Sequence, residues 1–147
     1  MMMNAGKTRA DIRMKAMAVF RRGDKILVNE VREPDGTLIG FRIPGGHVEF
    51  GEKTADTIVR EIREELGADI SNLRVLATIE NVFTYGGQPG HEVIVVYAAD
   101  FADAQMYEQD MLEAAEDDGT AFTLVWQDPD DLPEGLPLYP TGLRDYL

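Results

Sequence analysis

Five glutamates crowd around two arginines and a pair of glycine turns between residues 46 and 68, in the run GHVEFGEKTADTIVREIREELGA. Glu61, Glu64 and Glu65 stand in the i, i+3, i+4 relation, so a helix would gather their carboxylates on one face. Three like charges there repel one another and need a positive partner. Arg60 and Arg63 supply part of that charge, and a divalent cation could supply the rest. Every candidate donor is an oxygen and the chain has no Cys, which favours Mg2+ or Mn2+ over zinc. Just upstream, Pro44-Gly45-Gly46 is a tight loop whose carbonyls can approach a metal because no Cβ intervenes. Glu49 and Glu52 lie between loop and helix. Outside this setting, three such glutamates would read as a solvated acidic face with ordinary i, i+4 pairs.

The elements that must hold these groups follow from periodicity. Residues 54–66 contain no Gly or Pro and read as a helix, with Thr54 as N-cap, Asp56 in the first turn and Gly67 as the stop. Ala55, Ile58, Val59, Ile62 and Leu66 form its apolar stripe. Strands are expected over 12–20, 25–31, 37–43, 73–85, 92–99 and 122–126. Turns fall at Arg21-Arg22-Gly23-Asp24 and Pro34-Asp35-Gly36, and a loop over 86–90. Residues 103–116 have weak helical character, and 141–147 read as a short closing helix. Strands with one strong helix among them predict a mixed sheet with helices on its faces.

A chain of 147 residues, 44% hydrophobic, fits one domain with a real core. Residues 1–10 read as a flexible tail and 11–147 as the domain. No apolar run approaches a membrane span and the N-terminus lacks a secretory h-region. The absence of Cys fits a reducing cytoplasm. The net charge of −13 is uneven: one cation, Arg144, follows Arg74, while fourteen acidic residues lie between positions 75 and 143. Such a field repels polyanions, which argues against RNA, DNA or an anionic membrane as partner.

The spacing of Gly46, Glu52, Arg60, Glu61, Ile62, Glu64, Glu65 and Gly67 resembles the Nudix box, Gx5Ex7REUxEExGU, in which U is a bulky aliphatic. Ala68, smaller than the last position wants, is the one departure. The resemblance implies a Nudix-type α/β/α sandwich around a mixed β-sheet, and hydrolysis of a nucleoside diphosphate linked to a further moiety with Mg2+ or Mn2+. It implies Glu61 and Glu65 as central metal ligands, Glu64 as ligand or base, and the carbonyl of Gly45 or Gly46 completing the shell. It implies Arg60 orienting the glutamates and Glu52 locking the loop to the helix. A further base comes from a later loop in such proteins; Glu113, Glu116 and Asp118 are candidates, with Glu92 another. The expected partner is a small nucleotide substrate, and a homodimer is admitted.

Several residues carry two readings. His47 and His91 read as hydrogen-bonded loop residues before ligands. Arg32 and Arg42 could touch phosphates but read first as surface ion pairs. Phe83, Tyr85 and Trp126 could stack on a base but read first as core or half-buried strand aromatics. Three substrate flags of the resembled family are absent: no coenzyme A motif precedes Pro44, the first proline past the box is as far on as Pro89, and no Cys serves isomerase chemistry; Tyr85 falls near a tyrosine often carried by its dinucleoside polyphosphate members. A nucleoside triphosphate, nucleotide sugar or dinucleoside polyphosphate remains. The alternative is a nucleotide-sensing module without turnover, against which the intact glutamates argue.

Overall fold

The computed structural model describes residues 10–147, so most of the expected N-terminal tail lies outside the described residues. Ten strands and one α-helix follow in order: β1 (Ile12–Val19), β2 (Arg21–Arg22), β3 (Lys25–Arg32), β4 (Leu38–Arg42), β5 (Gly45–His47), α1 (Thr54–Leu66), β6 (Ile70–Tyr85), β7 (Gln88–Phe101), β8 (Met111–Ala115), β9 (Ala121–Gln127) and β10 (Leu138–Tyr139). They build two sheets, ordered β5-β1-β7-β6 and β10-β4-β3-β9-β8, with β2 paired to β3. β1 runs parallel to β7 and β10 parallel to β4; the other pairs are antiparallel.

Strand alternation explains why the sheets are covered on both faces. Ala16, Ala18 and Phe20 point into one core with Ile58 and Ile62 of α1, Leu27, Leu124 and Trp126. Met17 and Val19 point into a second core with Ile26, Val28, Phe41, Ile94 and Leu143. Leu143 belongs to a 3-10 helix, Leu143–Tyr146. The result is the expected α/β/α sandwich around mixed sheets, with α1 on one side and the second layer reduced to this short turn.

α1 has the expected bounds but not the expected cap. Lys53 is the N-cap and caps with no side chain; the Thr54 hydroxyl is 2.7 Å from the Tyr97 hydroxyl instead. Gly67, left-handed at φ 64°, closes the helix with its N–H on the Arg63 carbonyl. The expected stripe is buried at Ile58 and Ile62, while Thr57 and Glu61 are buried beside them. Residues 103–116 depart from expectation. A 3-10 turn (Ala104–Glu108) gives way to strand β8, whose Leu112 and Ala114 alternate into the core. β7 starts at Gln88, so the expected loop over 86–90 shrinks to a glycine turn.

Candidate active site

Strand β5 hangs on the edge of β1, with Met17 opposite Gly45 and Ala16 opposite Gly46. Both glycines are required by close approach. A Cβ on Gly45 would stand 2.6 Å from the Met17 Cα, and one on Gly46 would lie 2.6 Å from both Glu61 carboxylate oxygens. This glycine strand therefore lies directly on the helix carboxylate, as the spacing suggested.

Arg60 organises the helix side. Its Nε and Nη2 donate to the two Glu52 oxygens at 2.8 and 3.0 Å, a bidentate pair. Its Nη1 donates to Glu61 at 2.9 Å and Glu64 at 3.2 Å, and its Nη2 also reaches the His47 carbonyl at 3.1 Å. Glu52 further accepts from the Thr57 hydroxyl at 2.6 Å and the Glu49 N–H at 3.2 Å. Those donors, Arg60 first, hold the Glu52 carboxyl well down, to about 2. The same pairing raises Arg60. His47 contributes its backbone carbonyl here as the last residue of strand β5, not as the loop residue expected.

Glu65 is the opposite case. Its Oε2 is buried with no hydrogen-bond partner among the described residues. Burial, then the charges of Glu61 and Glu116, push its carboxyl up to about 8. Glu61, 9% exposed, is raised as well; burial exceeds the counteracting bond from Arg60. Among the described residues no three carboxylates already stand in metal-ligand geometry; Glu61 and Glu64 both accept from Arg60. The donor set still fits a hard cation. A buried, unpartnered carboxylate oxygen beside a second buried carboxylate is costly unless a positive charge meets them.

Gly45, Gly46, Arg60, Glu61 and Glu65 line a cleft of about 290 Å3 with Arg42, Lys15, Glu116 and Asp117, whereas Glu64 lies outside it beside Arg63. Of the four proposed further bases, Glu116 alone faces it. Glu113 is exposed on β8. Asp118 spends its oxygen on the Thr120 N–H within the β8–β9 turn, which lowers its carboxyl. Glu92 is paired with Lys15 at 3.6 Å. Arg32 is an ion-paired surface residue, bonded to Glu30 at 3.1 Å. Arg42 is not: it lines the cleft. Trp126 is a core aromatic that donates to the Gln109 carbonyl at 2.8 Å and lies under Arg22. Phe83 and Tyr85, 39% and 65% exposed, are not core.

Lys15, Asn29 and Asp117 join the cleft without having stood out in sequence. A lysine inside the apolar run IRMKAMAV was the available signal for Lys15. Asp-Gly at 118–119 marked the hairpin turn that carries Asp117. Nothing local marks Asn29.

The chain is 34% identical over 98 residues to YjhB of Bacillus subtilis (strain 168), whose name gives it provisionally as an ADP-ribose pyrophosphatase; the match covers 66% of this chain and 43% of that protein. It is 30% identical over 86 residues to the NAD-capped RNA hydrolase NudC of Pectobacterium atrosepticum, covering 58% of this chain and 30% of that one. The chain thus matches less than half the length of either curated relative. Among solved structures, the MutT NUDIX hydrolase from Burkholderia pseudomallei superposes with a TM-score of 0.63 at 27% identity, over 86% of this chain and 91% of that one. No helix among the described residues is long and apolar enough to cross a membrane. The family model for the NUDIX domain matches residues 12–145, from the first residue of β1 to the closing 3-10 turn, and the protein belongs to that family.

Proposed function

We propose that this domain hydrolyses the diphosphate of a small nucleoside diphosphate bearing a second moiety, with Mg2+ or Mn2+ held by Glu61 and Glu65, by Glu64, and by the Gly45 or Gly46 carbonyl. The observation that carries this is the buried, unpartnered Glu65 Oε2 beside Glu61 at the floor of the cleft. A divalent ion bound there supplies charge neutralisation at the phosphoryl oxygens and acidifies water. The chain's own residues do the rest. Arg60 holds Glu61 against Gly46 and keeps Glu64 one turn on within reach, and Glu52, doubly bonded to Arg60, keeps Arg60 in place. Glu116 and Asp117 overhang the helix from the β8–β9 turn, where either can take the proton of the attacking water. Water must attack in line with the leaving oxygen. The names of YjhB and NudC, one provisional, both describe hydrolysis of a nucleotide carrying another group.

The test is a panel of nucleoside triphosphates, nucleotide sugars and dinucleoside polyphosphates with Mg2+, reading phosphate and pyrophosphate release after phosphatase coupling. Expected is metal-dependent turnover of at least one class, abolished by chelation. Turnover that survives exhaustive chelation contradicts the metal assignment. Binding of a nucleotide with no turnover across the panel converts the reading to a sensing module.

A further inference from the structure

The least expected side chain of α1 is Thr57. Among the described residues it is one of three buried polar or charged side chains, and it is 0% exposed. It stands at i, i+3, i+4 and i+7 with Arg60, Glu61 and Glu64, and so heads the stripe of the helix that carries them. A fully buried helical position costs least when an aliphatic fills it, and threonine is no better a helix former than valine. The hydroxyl therefore needs a reason, and its contacts supply one. Thr57 Oγ1 donates to Glu52 Oε1 at 2.6 Å and is 3.1 Å from the Lys53 carbonyl. The carbonyl four residues back is the ordinary acceptor for a helical threonine; here the carboxylate is the nearer one. A charged acceptor at that distance makes a strong bond. Glu52 is thus not held by Arg60 alone. Its Oε2 meets Arg60 Nε at 2.8 Å, while Oε1 collects Thr57, Arg60 Nη2 at 3.0 Å and the Glu49 N–H at 3.2 Å. Of these donors, Arg60 is the group to be positioned, and Glu49 is exposed in the loop. Thr57 is the one anchored in the buried face of the helix. Thr54, three residues earlier, offers a contrast: its hydroxyl meets Tyr97 of β7 at 2.7 Å, so it ties helix to sheet and bonds neither Glu52 nor Arg60.

We propose that Thr57 is a positioning residue of the site: its hydroxyl fixes the rotation of the Glu52 carboxylate, which then presents both oxygens to Arg60, and Arg60 holds Glu61 against Gly46. For its effect on cation binding this rests on the diphosphate reading above, in which Glu61 is a metal ligand. With the hydroxyl gone, Glu52 keeps its charge but loses the donor that sets its plane. The two-oxygen grip on Arg60 loosens, and Glu61 loses its fixed aim. The methyl of Thr57 serves packing and the hydroxyl serves order in the site, so the two can be removed separately.

The test uses the full chain and two substitutions that divide the side chain. Thr57→Val keeps its volume without the hydroxyl, and Thr57→Ser keeps the hydroxyl without the methyl. The first readout is the Arg60 Nε–H signal in heteronuclear NMR in chelator, assigned by its loss in Arg60→Lys. In wild type this proton is expected to exchange slowly with solvent. In Thr57→Val its exchange accelerates by about tenfold or more, the scale of one hydrogen bond to a charged group, and in Thr57→Ser it keeps the wild-type rate. Thr57→Ala, a second variant without the hydroxyl, follows Thr57→Val. The second readout is calorimetric titration with Mn2+, which Thr57→Val is expected to bind about tenfold more weakly, the low end of what removing an outer partner of a metal ligand costs; Thr57→Ser binds as wild type. Thr54→Val, which removes a hydroxyl bond at the same end of the helix, leaves both readouts unchanged. A packing role reverses the order, with Thr57→Val like wild type and Thr57→Ser impaired, and that result overturns the proposal. So does a wild-type Arg60 proton that exchanges as fast as in a free guanidinium, or a Thr54→Val as impaired as Thr57→Val. The Arg60 signal is independent of turnover: an inactive wild type with the expected pattern refutes the hydrolase reading alone, and an active one whose signal is unchanged in Thr57→Val refutes this inference alone.

Discussion

Glu52, in the loop just before α1, and Glu65, near the end of α1, have opposite fates. Glu52 accepts four hydrogen bonds, two of them from Arg60, and its carboxyl is held near 2. Glu65 has a buried oxygen that accepts none, and its carboxyl is pushed to about 8. Both are fixed by the same motif spacing, yet one carboxylate is finished by the protein and the other is left open. Structure-holding charges are satisfied internally; a charge meant for a ligand has to be left wanting one. Arg60 marks the divide, since it saturates Glu52 and leaves Glu65 unpaired.

The largest expected effect tests this divide through catalysis. Glu65→Gln and Glu61→Gln are each expected to lower kcat by on the order of a hundredfold or more, the scale of losing one group that stabilises transition-state charge, with the circular dichroism of wild type. Ile62→Ala, in a site of 0% exposure, is expected to do the reverse: to cost about 2–5 kcal/mol of stability while the folded fraction retains turnover. Denaturant titration and kinetics on the same samples decide it, and glutamate variants with normal kcat would erase the distinction.

A smaller effect is thermodynamic. At a hundredfold excess over its dissociation constant, a bound cation adds about 2.7 kcal/mol, so Mg2+ is expected to raise Tm in wild type and much less in Glu65→Gln. NaCl at matched ionic strength controls for general screening of the acidic surface. Equal shifts in both proteins would mean screening alone.

The subtlest effect is the pH dependence of stability without divalent cation, and the two carboxylates act in different windows. Glu65 is raised from 4.5 to about 8. Between those values the folded state holds a proton that the unfolded state has lost, so its effect is to make stability fall as pH rises from about 4.5 to 8. Glu52 is lowered from 4.5 to about 2; its contribution is complete above 4.5 and is lost as pH falls through that range toward 2. Thermal melts across pH in chelator are expected to show Glu65→Gln flattening the upper window alone and Glu52→Gln the lower one alone. A single variant that flattened both windows would show the two carboxylates to be one coupled unit.

Much of this site was legible because it is local. The helix over residues 54–66 stands where the spacing put it; the glycine stretch meets Glu61 as expected but as strand β5 rather than a loop, and Glu61 and Glu65 face the cleft while Glu64 lies outside it. The reading failed where partners come from elsewhere. Thr54 looked like a cap, but Tyr97, 43 residues on, claims its hydroxyl. Residues 103–116 lacked a stripe and read as a weak helix; pairing of β8 with β9 decided otherwise, since a lone edge strand has no local signature. Arg42 reads as a surface cation from its neighbours in sequence, but β4 carries it to the cleft wall.

The sequence by itself determined which groups could meet a cation: those within one helix and the loop before it, where backbone geometry alone fixes the spacing. Only the tertiary structure decided which of them are satisfied. Whether a carboxylate is solvated, paired or orphaned depends on what packs over it. At Glu65 that is the β8–β9 turn with Glu116 and Asp117, some fifty residues later in the chain. The same holds for Lys15 and Arg42, which line one cleft because strand order places β1 and β4 on two sides of it.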